Sequence, residues 1–67
     1  DNVRLVQEYL NALAGAYPLP RVTVDGIYGS ATENAVKAFQ RLFGLAADGI
    51  VGPRTWERLV GVRLLLR

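Results

Sequence analysis

The chain contains no cysteine and no histidine. Without cysteine there is no disulfide to staple a small fold and no thiolate metal site. Without histidine the common nucleophile–base triads and a histidine zinc centre are unavailable. No metal or other cofactor is therefore expected. The missing cysteine assigns no compartment, since it suits a reducing cytosol and an exported module that never relied on disulfides equally well. Charge of one sign is scarce too. The net charge is +2, and the eight basic residues, seven of them arginine, are scattered without a run. That pattern describes a solvated surface rather than a grip on a polyanion, so nucleic acid is not an expected partner. No apolar stretch approaches the roughly 18–20 residues that span a bilayer, so a membrane is not expected either. The start lacks the layout of a signal peptide and opens abruptly on a helical pattern. The expectation is a monomeric module cut from a larger protein, with any export signal outside it.

What is present is a consistent apolar pattern. Half of the 67 residues are hydrophobic, 51%, enough for one small core near the size at which a core suffices without staples. Val3, Val6, Leu10, Leu13 and Ala14 recur at three- and four-residue spacing and predict a helix over about residues 2–14, capped by Asp1 or Asn2. Gly15 is expected to stop it in a left-handed conformation. Pro18 and Pro20 then forbid continuation, and residues 17–23 are expected to form an irregular surface excursion. Ala35, Val36, Phe39, Leu42 and Phe43 predict a second helix from near Ser30, stopped at Gly44, with Leu45 placed for the apolar contact that accompanies such a stop. Pro53 opens a third, with Trp56, Leu59 and Val60 inward. That helix either ends at Gly61 or runs on through Val62 to Leu66. The fold class expected is all-α, a compact three-helix bundle, with the domain at 1–61 and a tail or linker root at 62–67.

A phrase is written twice. D-G-I-Y-G-S-A-T over residues 25–32 returns 23 positions later as D-G-I-V-G-P-R-T over 48–55. A repeat at fixed period marks a duplicated supersecondary unit. Aligning Gly15 with Gly44 sets Val6 on Ala35, Leu10 on Phe39, and Leu13 and Ala14 on Leu42 and Phe43. The distance from glycine to aspartate is then ten residues in the first copy and four in the second, a six-residue insertion. Asp-Gly favours a tight turn, because the carboxylate bonds nearby N–H groups and glycine accepts positive φ. The isoleucine is expected to anchor each turn in the core, and Thr32 and Thr55 to bond back locally. Ser30 and Glu33 have capping-box spacing, while Gly29, in parallel with Gly52, is the other candidate cap.

The ordered set D-G-x-x-G-x-x-T, A-V-x-x-F-Q and G-L-x-x-D-G-x-x-G-x-x-T-W, with V-R-L-V-Q-E-Y-L-N-A-L ahead of it, resembles the bacterial peptidoglycan-binding domain of the three-helix type over nearly the whole chain. The resemblance implies a non-catalytic module. It would hold a fused amidase, muramidase, zinc D,D-peptidase, L,D-transpeptidase or spore-cortex lytic enzyme on its insoluble polymer. It implies an extracytoplasmic place at the cell wall, with peptidoglycan, through glycan or stem peptide, and a neighbouring catalytic domain as partners. Prodomains of animal matrix metalloproteinases resemble the same fold, but their inhibitory cysteine has no counterpart here. The chain departs from the family pattern in the excursion through Pro18 and Pro20, expected to reshape one rim of a binding groove, and in the apolar tail.

The candidate ligand residues are Asp25, Gly26, Tyr28 and Gly29 in the first turn, Asp48, Gly49 and Gly52 in the second, and Gln40, Arg54 and Trp56 beside them. Two turns displayed at helix N-termini offer unpaired N–H donors, and Tyr28 adds an aromatic wall. Each has a plainer role. The aspartates hold turns, Gln40 satisfies a loop carbonyl, and Trp56 fills core, with its indole edge left for a groove. Arg21, Arg41 and Arg54 are candidates to meet acidic stem peptides, or are solvated surface. An enzyme would need Asp25 and Asp48 as opposed acids across a cleft, and both are better explained as turn residues. Arg54 and Arg58 lie one turn apart with Glu57 between them, short of a recognition helix. The remaining alternative is a protein-docking module using the same groove and the apolar tail.

Overall fold

The computed structural model describes residues 2–65. They form three helices and no strand: α1 Asn2–Ala14, α2 Ser30–Leu42 and α3 Pro53–Leu65. Each helix buries one stripe at helical spacing. Val6, Leu10 and Leu13 of α1 meet Ala35, Val36 and Phe39 of α2 and Leu59 and Val62 of α3. Phe39, Leu10, Leu13 and Leu59 are buried to within a few per cent and form the centre of this core.

The helix ends differ in mechanism. At the end of α2, Gly44 takes φ +73°, the N–H of Leu45 bonds Gln40 O at 2.8 Å, and the N–H of Gly44 bonds Arg41 O at 3.3 Å. This is a Schellman stop, with Leu45 packed on the core as expected. Gly15 works otherwise. It is not in the left-handed region, and α1 closes through the N–H groups of Ala16 and Tyr17, which both bond Leu13 O. Gly29 is the cap of α2 and uses no side-chain bond, so Ser30 is the first helical residue and the capping box does not form.

α3 does not stop at Gly61. An interior glycine costs about 1 kcal/mol against alanine, but continuing the helix buries Val62 to 5% exposure, which returns roughly 2 kcal/mol. Residues 62–65 of the expected tail thus continue α3. Asp1 and Leu66, invoked as a cap and as a helix end, lie outside the described residues, as does Arg67. Two apolar assignments shift as well. Leu42 is 42% exposed, because the buried stripe of α2 turns through Phe39 to Phe43. Val60 is half-buried beside the stripe that Leu59 and Val62 define.

The excursion after α1 is more than a surface loop. Leu19 is buried in the core, and Tyr17 sets its edge on Phe43 with ring centroids 5.2 Å apart. Asn11 clamps the returning strand of chain at two points: its Nδ2 donates to Val22 O at 2.7 Å and its Oδ1 accepts from Val22 N at 2.8 Å. The prolines stay exposed while the leucine between them is drawn inward.

Candidate functional site

Each repeated turn is locked by a buried glutamine. In the second copy, Gln40 Nε2 lies 3.0 Å from Asp48 Oδ1, 3.0 Å from Ile50 O and 3.1 Å from Thr55 Oγ1, and Gln40 Oε1 accepts the N–H of Gly49 at 2.9 Å. The first copy repeats this with Gln7. Its Nε2 lies 3.0 Å from Asp25 Oδ1, Ile27 O and Thr32 Oγ1, and its Oε1 takes the N–H groups of Gly26 and Asp25 at 2.9 and 3.1 Å. In both, the aspartate Oδ1 also accepts the N–H two residues on, from Ile27 or Ile50, at 2.9 Å. A primary amide suits this place because it offers donors and an acceptor without charge, so burial leaves nothing ionised to desolvate.

The lock corrects two expectations. Ile27 and Ile50 do not anchor the turns; both are 66% exposed. Their N–H and C=O groups face the aspartate and glutamine, which turns the side chains outward. The internal alignment also moves. Gln7 precedes Asp25 by 18 residues and Gln40 precedes Asp48 by 8, so the insertion is ten residues rather than six. Val6 then matches Phe39, not Ala35. Gln7 carried no weight in the apolar alignment, which set Asn11 opposite Gln40.

The bonds from Ile27 N–H and then Gln7 hold the Asp25 carboxyl below the ordinary carboxylate value, with Arg4 adding a smaller attraction. Asp48 is lowered in the same way by Ile50 N–H and then Gln40. Both turns therefore carry a carboxylate at neutral pH. The turns differ in what surrounds them. Tyr28 reaches across from the first and donates its hydroxyl to Gly49 O of the second. Burial, and then the charges of Glu33 and Asp48, push its hydroxyl above the ordinary tyrosine value, which keeps it protonated as that donor. Gly49, at φ +75°, lies buried under Glu33 and Lys37. A Cβ there would meet Glu33 Cγ at 2.8 Å and Lys37 Cε at 3.1 Å.

A groove of about 810 Å³ runs beside the second turn, between the start of α1 and α3. Val3 and Val6 form one side, Ile50 and Pro53 the other, with Trp56 and Tyr28 as aromatic walls; no charged residue lines it among the described residues. Trp56 is held by a near-parallel stack on Tyr9, centroids 5.6 Å apart. Its double role, part core and part groove wall, is what the sequence suggested. The volume falls in the range of small-ligand sites, about 300–1,000 Å³.

Of the candidate residues, Tyr28, Gly49, Gly52 and Trp56 meet at this groove. Asp48, Gly52 and Arg54 border a second cleft around the start of α3. Asp25, Gly26 and Gly29 line neither. Gln40 is 1% exposed, and its amide is engaged by the turn. Arg21, which donates to Asn11 O at 3.4 Å, and Arg41 also lie away from both, and no residue of the excursion forms a rim of the groove. Val3, Val6, Ile50 and Pro53 also line the groove, although the sequence marks them as helix stripe, turn anchor and helix opener rather than as ligand candidates.

Comparison with known proteins gives one family. Residues 1–59 match the family described as "Putative peptidoglycan binding domain". A probable N-acetylmuramoyl-L-alanine amidase of Bacillus licheniformis is 42% identical over 62 residues, 85% of this chain and 18% of that protein. A zinc D-Ala-D-Ala carboxypeptidase of Streptomyces albus G is 49% identical over 39 residues, 58% of this chain and 15% of the relative. The amidase CwlL of Bacillus licheniformis is 40% identical over 62 residues, 92% of this chain and 17% of the relative. The chain thus spans less than a fifth of the length of these relatives. No solved structure matches it.

Proposed function

Since the chain belongs to the peptidoglycan-binding domain family, we propose that the groove beside its second turn is where it holds the bacterial cell wall, with no chemistry of its own. The observation that carries this is the uncharged groove walled by Trp56 and Tyr28. Aromatic walls with a few polar groups at the edge suit a ligand that alternates apolar faces with hydroxyls and amides, as glycan and stem peptide both do. The relatives are named as an amidase and a carboxypeptidase and are far longer than the match. The module would then keep a neighbouring catalytic domain of the same kind near its insoluble substrate, raising effective concentration without touching the reaction. Work at the wall places it outside the cytoplasm, as a monomer that needs neither nucleic acid nor membrane. No helix of the described residues is long and apolar enough to cross a membrane.

Co-sedimentation of the chain with protein-free bacterial sacculi tests this. Retention should largely persist at moderate salt, because an uncharged groove is little screened. Ile50→Ser should lower retention, since Ile50 lines the groove. Ile27→Ser, equally exposed but outside the groove, should not. A folded chain that is not retained would overturn the proposal and leave the groove to a protein segment.

A further inference from the structure

The second cleft, about 360 Å³, meets the groove at Ile50, Gly52 and Pro53. Unlike the groove it carries charge, with Asp48 from the turn and Arg54 from the start of α3 both lining it. These opposite charges do not pair with each other. The one ion pair among the described residues joins Glu33 and Lys37, and Arg54 is not among the groups acting on the Asp48 carboxyl. Asp48 Oδ1 is taken by Ile50 N–H and the Gln40 amide, while Oδ2 has no partner among the described residues. The first turn is an internal control. Its aspartate feels Arg4, and Ala31 stands where the second copy has Arg54. The turn beside the groove presents an acid and a base to this cleft, whereas Asp25 lines neither it nor the groove.

We infer that this cleft receives an α-amino-acid head group, ammonium and carboxylate on one carbon, at the end of a wall stem peptide whose body lies in the groove. The ammonium meets Asp48 Oδ2 and the carboxylate meets the Arg54 guanidinium, whose fork suits a planar carboxylate. A ligand with one of the two charges gains one attraction and faces one repulsion, which makes the pair a selector for zwitterions. The inference rests on the groove as the seat of the wall, and supplies a small salt-sensitive part of its binding.

The test is an amide NMR titration of the chain with a short peptide whose side chain ends in a free amino-acid head, alongside its N-acetylated and carboxamide forms. The free form should shift residues 48–55, and each blocked form should bind about fivefold more weakly, the range of an exposed ion pair. Arg54→Gln should abolish the preference for carboxylate over carboxamide while keeping the response to acetylation. Equal affinity of the three forms would overturn the inference; Ile50-dependent retention on sacculi would then leave the groove standing alone. Head-group selectivity without any retention on sacculi would support the cleft chemistry and overturn the wall as its source. Free alanine binding as tightly as the peptide would overturn the assignment to a peptide end.

Discussion

The turns at residues 25–29 and 48–52 carry the same glutamine, aspartate and threonine bonds at nearly the same distances, yet the first lends the groove only Tyr28 while the second lines it from Gly49 to Gly52. Their difference comes from neighbours rather than from the lock. Gly49 is covered by Glu33 and Lys37 and takes the Tyr28 hydroxyl, whereas Gly26 is half-buried and its turn faces solvent. A duplicated sequence thus supplies two equal frames, and the packing around one of them opens a groove beside it.

The glutamines should show the largest effects. Gln40→Ala should cost about 3 kcal/mol and Gln7→Ala about 2 kcal/mol, because water reaches the groups left behind at the first turn more easily. Gln7 makes the larger number of bonds, so urea midpoints in the reverse order would show that bond number outweighs water access. Next come the glycines, at φ +77° and +75°. Gly26→Ala should cost about 1–2 kcal/mol for the left-handed backbone. Gly49→Ala should cost more, since its Cβ meets Glu33 Cγ at 2.8 Å, and Glu33→Ala in the same chain should recover the excess if that contact is the cause. Tyr28→Phe removes the hydrogen bond from the first turn to Gly49 O of the second and should cost about 1 kcal/mol in thermal unfolding.

The smallest effect separates the aspartates. A carboxyl whose folded-state pKa lies below its ordinary 3.8 lends the fold its full stabilisation above that value and loses it as pH falls through the lower, folded one. Both turns should therefore hold at neutral pH and weaken only in acid, below about 3.8. Arg4 contributes to the lowering of Asp25, while the causes of the Asp48 shift include no cation. Salt should accordingly raise the Asp25 carboxyl pKa more than that of Asp48 in a ¹³C titration. Equal responses would place Arg54 closer to Asp48 than the cleft suggests.

The helices were legible because apolar spacing dictates them, and the starts at Asn2, Ser30 and Pro53 agree with the pattern. The repeat itself was legible as well. Its register was not, because a four-residue slip is close to one helical turn and carries an apolar stripe nearly onto itself. Polar residues would have fixed it: V-R-L-V-Q ending at Gln7 answers V-K-A-F-Q ending at Gln40. The isoleucines misled for a related reason. Hydrophobicity predicts burial only where the backbone leaves a side chain the choice, and here both backbone polar groups of each isoleucine are committed to the lock. Trp56 and Tyr28 were legible as aromatic candidates, but the groove they wall depends on Val3 and Val6 arriving from the far end of the chain.

The two-point clamp between Asn11 and Val22 has a consequence for how such a module can be altered. It pins the outgoing and returning chain together at residues that line neither cleft, and of the intervening residues only Leu13, at the end of α1, and Leu19 are buried. Chain length between those fixed points is therefore nearly uncoupled from the turns, and lengthening a pinned loop costs only slowly growing closure entropy. The exposed prolines on either side of Leu19 mark a graft point, where a tag, a crosslinker or a second module could be carried while the groove stays as it is.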